Sequence, residues 1–238
     1  EIIMAIIVPG GWQIFCIAAT IVMLCSLIMF YLQNFFVTED PDLRDFTILD
    51  LEWASNEKEI NNTLRGLMLL PPEIGAKVRR ALLTHLYIDF LFMPAAYGAM
   101  FIACMQLCLR MPVFGLFFFS ILGWSLAIAW ASHIIANISL FRRFWFWKKN
   151  YKTEKPEKTI FRFIPFHMFR LLEFLKWSIS LTVLACVLSA VLYLWVSGFY
   201  AVGSLLYLLI TVVEFILFIV VLVFSLRWGK KWRTSLRA

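Results

Sequence analysis

Residues 12–35 read WQIFCIAATIVMLCSLIMFYLQNF and contain no Asp, Glu, Lys, Arg or His. A helix needs roughly 20 predominantly apolar residues to cross the hydrocarbon core of a bilayer, so this run is long enough for one span. Pro9-Gly10-Gly11 separates it from a short apolar piece, residues 2–8, which reads as an interfacial segment. Working outward, comparable runs recur at residues 86–109, 113–140, 171–196 and 200–226. Arg110-Met111-Pro112 parts the second from the third, with Pro112 suited to a first helical position. Ser197-Gly198 parts the fourth from the fifth. The pattern predicts an all-α, polytopic transmembrane helix bundle of five spans.

Composition agrees. The chain is 62% hydrophobic and 16% charged, with mean hydropathy +0.83. Soluble domains are about half apolar and about a quarter charged, so 238 residues of this balance need lipid to cover the excess. The net charge of +7 is therefore read as basic loops meeting anionic lipid, and nucleic acid is not an expected partner. Cys16, Cys25, Cys104, Cys108 and Cys186 all fall in apolar runs without zinc spacing, and read as small packing residues. The chain opens on Glu1, and no basic n-region or small-residue cleavage site precedes the first run. That run is thus taken as a span and not a signal peptide.

The charges divide the chain. Residues 37–85, 141–170 and the tail from 227, with Lys176, hold 21 of the 22 Lys and Arg residues, and the opposite gaps hold only Arg110. Cytoplasmic loops retain Lys and Arg, so the expected orientation is N-terminus out and C-terminus in. The predicted organisation is an interfacial piece and first span (1–36), cytoplasmic amphipathic helices (37–85) and a helical hairpin (86–140). A basic aromatic interfacial segment (141–170), a second hairpin (171–226) and a basic cytoplasmic tail (227–238) complete it.

Within 37–85, Asp40-Pro41-Asp42 reads as a turn, and Asn56 followed by Glu59 has the outline of a capping box. Ile60, Leu64, Leu67 and Met68 then recur at helical spacing until Pro71-Pro72. A second helix carrying Ile74, Val78 and Leu82 on one face is expected to run into the second span. Two helices of this size are too small to fold alone, and are expected on the membrane surface or against the bundle. In the later gap, Arg142, Arg143, Trp145, Trp147, Lys148, Lys149, Arg162 and Arg170 mix cations with aromatic rings. That mixture predicts contact with lipid headgroups.

Polar residues inside the spans are the candidate functional sites, because a charge at the bilayer centre costs several kcal/mol. Glu214 lies near the middle of the fifth run. Counting at 1.5 Å per residue puts Glu214 roughly 19 Å deep, His133 roughly 12 Å, and Asp89 and Asn137 roughly 6 Å. If their spans adjoin, the four make a polar ladder suited to a proton or an ion, with steps bridged by water. Packing glue between helices is the other reading of the same residues. No metal site or cofactor is expected. Haem needs facing imidazoles at matching depth, and His85, His133 and His167 do not supply them.

Leu49-Asp50-Leu51-Glu52-Trp53-Ala54, followed by Asp89-Phe90-Leu91-Phe92 and Ala95-Ala96-Tyr97-Gly98, resembles a loose, functionally unassigned group of small bacterial polytopic inner-membrane proteins. The resemblance covers about residues 10–140, and Trp53 and Pro94 depart from the group's pattern. It implies a bacterial inner-membrane location and retained roles for Asp89 and Tyr97, but no catalytic residue.

The expected function is that of a non-catalytic accessory, scaffold or assembly subunit of a larger inner-membrane complex. Its partners would be the bilayer, anionic lipid and other membrane subunits. The alternative is a small proton- or ion-coupled transporter or channel using Asp89, His133, Asn137 and Glu214. An enzyme acting on lipid or quinone would need His133 as base and Asp89 or Glu214 as acid, converging within about 3 Å of substrate.

Overall fold

The computed structural model describes residues 10–39, 45–110, 113–152 and 164–196, with the single positions 212, 213 and 216. Among the described residues the regular structure is helical. In order come α1 (Gly11–Gln33), α2 (Ile48–Glu52), α3 (Glu57–Leu69), α4 (Pro72–Cys108), α5 (Val113–Asn150) and α6 (Phe166–Val196). Four of them, α1, α4, α5 and α6, are long and apolar enough to cross a membrane, the make-up of a multi-pass membrane protein. The expected fifth span lies outside the described residues except for 212, 213 and 216, and the Asp40-Pro41-Asp42 turn lies outside them altogether.

Two helices outrun the apolar segments that predicted them. α4 begins at Pro72 and passes through Pro94 to Cys108, and α5 continues from Val113 to Asn150. At 1.5 Å per residue each is roughly 55 Å long, against roughly 30 Å of hydrocarbon. Both are therefore longer than the hydrocarbon core is thick. The basic aromatic stretch after residue 140 is, as far as Asn150, the continuation of α5.

The chain forms two compact units. The first takes in the start of α1, the second half of α4, the first half of α5 and most of α6. Gly10, at φ +67°, begins α1, and its carbonyl accepts from the Gln13 and Ile14 amides. α5 approaches α4 closely at Gly123, where an added β-carbon would sit 2.6 Å from the Met105 Cε and 3.4 Å from the Cys104 Cβ. Close helix contact at small residues is how spans associate when lipid is as apolar as the side chains. Cys104, Met105 and Leu107 are fully buried there, and Val183, Val187, Ala190 and Leu194 make the inward stripe of α6.

The second unit contains the end of α1, α2, α3, the first half of α4, the second half of α5 and the start of α6. Its core joins Phe36, Phe46, Ile60, Leu64, Leu67, Val78, Leu82, Phe144 and Phe169. Each such side chain, fully buried, contributes about 1.5–3 kcal/mol. The periodicity of Ile60, Leu64, Leu67 and Met68 is thus spent on a packed core, which settles the helices against other helices. α2 opens with a capping box between Thr47 and Asp50. α3 opens on Asn56, whose Oδ1 accepts from the Glu59 amide at 3.0 Å, while Glu59 Oε2 accepts from the Ser55 amide at 2.7 Å. Leu70 is extended before Pro71, which ends α3, and Pro72 starts α4. An isolated bridge pairs Val37 with Asp45. Phe36 and Phe46 stack at 5.1 Å, and Thr38 Oγ1 donates to the Thr63 carbonyl at 2.9 Å.

Candidate functional site

The second unit brings three of the four predicted polar residues to one point. His133 Nε2 lies 3.0 Å from Asp89 Oδ2, and Asn137 Nδ2 donates to the same oxygen at 3.0 Å. His133 and Asn137 are buried, and the Asp89 side chain is mostly covered. The geometry follows from helical spacing. Residues four apart on α5 project from one face about 6 Å apart, so a carboxylate from the facing helix can meet both.

Three of the four residues of the expected ladder are thus in direct contact. Asp89, His133 and Asn137 are not rungs bridged by water but one directly bonded cluster. Both hydrogen-bond partners of Asp89 come from α5. Glu214 lies outside the described residues, so the structure assigns it no place in the cluster.

One turn before Asp89, His85 is buried, with Nε2 3.2 Å from Gln33 Nε2 and its ring 5.6 Å from that of Phe36. Gln33 was not singled out in the sequence, since it ends an otherwise apolar run. Tyr97, the other position marked by the resemblance, is buried in the first unit.

Further along, α5 binds α3 through two matched steps. Arg143 Nη1 donates to Glu57 Oε1 at 2.7 Å, and Trp147 Nε1 donates to Asn61 Oδ1 at 3.1 Å. Both pairs are four apart on their own helix, a repeat visible in the sequence but without a signal to join them. Arg143 and Trp147 are therefore corrected from headgroup residues to buried ones: α5 continues past residue 140, and its inward stripe carries Ala136, Leu140, Phe144 and Trp147. Arg142, Trp145, Lys148, Lys149 and Arg170 are exposed, and Arg162 lies outside the described residues.

In the first unit a hollow of about 430 Å³ is lined by Phe118, Ala185, Cys186, Ser189, Ala190 and Tyr193, an apolar wall with a few weakly polar atoms. Among the described residues, no group of three His, Cys, Asp or Glu side chains is placed to hold a metal ion. Comparison with protein-family models, with curated proteins and with solved structures returned no match.

Proposed function

We propose that this chain is a non-catalytic scaffold or assembly subunit of a larger membrane complex, inserted with its N-terminus outside and residues 37–85 on the cytoplasmic side. The observation that carries it is how the buried polar side chains are used. Asp89 is in hydrogen-bond contact with His133 and accepts from Asn137, Arg143 donates to Glu57, and Trp147 donates to Asn61. Each contact fixes one helix against another, which is the work of a rigid framework. Large apolar side chains such as Phe114, Trp124 and Ile128 face outward, a surface that suits neighbouring membrane helices as well as lipid. Purification from native membranes in mild detergent, followed by mass spectrometry, tests this. A defined set of co-purifying membrane subunits is the expected result, and a lone monomer counts against it.

A second reading is favoured by the cluster itself. An acid and an imidazole in direct contact within membrane-spanning helices form a pair that can exchange a proton, and intramembrane acids mark ion paths. Proton flux into liposomes that is lost in Asp89→Asn and His133→Ala would support transport. Absence of flux from the unaltered protein would remove it.

A further inference from the structure

We propose that the outward face at the C-terminal end of α5 is a binding site for the headgroup of an anionic phospholipid. Along this face the side chains change character within two turns. Ile135 and Ile138 are exposed and apolar, and the next exposed positions on the same stripe are Arg142, Trp145 and Lys149. An exposed helix face that turns from aliphatic to cationic marks the level where hydrocarbon gives way to phosphate.

Three rings line that level. Tyr87 of α4 meets Phe141 edge-on at 5.4 Å, and Phe141 meets Trp145 at 6.3 Å. The Lys148 Nζ stands over the Trp145 ring, 4.3 Å from its centroid. Aromatic rings favour the membrane interface, and an ammonium held on a ring face is positioned without being neutralised. α4 and α5 run antiparallel here, because Asp89 meets Asn137 while Tyr87 meets Phe141. Arg80, exposed two turns before Tyr87, therefore lies roughly 10 Å from Tyr87 along α4, towards the same end as Lys148 on α5.

Charge selects the ligand. No Asp or Glu stands between Asp89 and Glu154, so the formal charge of α5 itself is positive. Arg142, Lys148 and Lys149 thus form a cationic rim above an aromatic wall, and Ile135 and Ile138 continue the wall as a track for an acyl chain. A lipid phosphate meets both parts, whereas a soluble phosphate meets only the rim. Arg143 and Trp147, turned inward on the opposite face, hold the end of α5 in place and do not contribute.

The test uses the purified full chain in mild detergent, titrated with phosphatidylglycerol or phosphatidylcholine, with bound lipid counted by native mass spectrometry. Phosphatidylglycerol is expected to bind in preference. Arg142→Gln, Lys148→Gln and Lys149→Gln are each expected to weaken it roughly five-fold. Lys58→Gln, which removes an exposed lysine on α3, is expected to leave binding unchanged. The single variants keep the question open to an answer should a triple variant fail to fold. Equal retention of the two lipids overturns the site. So does equal weakening by Lys58→Gln and Lys148→Gln, or binding of glycerol phosphate as tightly as the whole lipid.

Discussion

Arg143 and Glu57 form an ion pair at 2.7 Å whose two ends are unequally covered, the guanidinium side chain 3% exposed and the carboxylate 36%. The cost of losing the pair therefore depends on which end is removed. Glu57→Gln leaves a buried cation without its counter-charge, and is expected to destabilise by about 1–2 kcal/mol, below the 3–5 of a fully buried pair. Adding Arg143→Met to that variant should restore part of the loss. Denaturation in mixed micelles reads both, and a double variant less stable than Glu57→Gln would refute the account.

His133→Ala and Asn137→Ala each remove one of the two hydrogen-bond partners of Asp89 Oδ2. Each is expected to cost about 0.6 kcal/mol, and at most about 1.7, as for other hydrogen bonds between membrane helices. Asp89→Ala strands both partners and should cost more than either. Unfolding by a denaturing detergent separates the three, and equal stability of all of them with the parent would discard the cluster as a tether.

The cap of α3 is testable outside the spans. Asn56→Ala removes the acceptor of the Glu59 amide and is expected to cost about 1 kcal/mol, while Asn56→Asp should be nearly silent. Faster hydrogen exchange in the first turn of α3 is the readout; identical exchange in both variants would show that the cap is dispensable.

Two leucines on α3 should behave oppositely. Leu64 is 1% exposed and Leu69 is 53% exposed. Leu64→Ala is expected to cost about 2–5 kcal/mol, and Leu69→Ala less than about 0.5. A comparable loss at both positions would mean that α3 is not packed as described.

Much of this was legible beforehand. Apolar length located α1, α4, α5 and α6, because a bilayer imposes a minimum run. The 3.6-residue spacing of Ile60, Leu64 and Leu67 and the stop at Pro71-Pro72 located α3, because those signals are local. Asp89, His133 and Asn137 drew notice because polar groups are costly among apolar neighbours, yet their direct contact depends on the register of α4 against α5. The sequence has no local signal for that register. The run of α4 from Pro72 into its span was expected, but the end of α5 was misjudged for a related reason: hydropathy reports where lipid stops, and a helix can continue beyond that point when another face of it is covered. Arg143 and Trp147 illustrate the point, since a cation and an indole next to the membrane look the same in sequence whether they turn to lipid or to α3.

Both hydrogen-bond partners of Asp89 converge on a single oxygen atom, and this has a bearing on descent. Losing the acid would abandon two partners at once, whereas losing either partner leaves the other engaged. Among kin of this chain, position 89 should therefore tolerate the least change, and 133 and 137 should drift freely only in lineages where the acid has already gone.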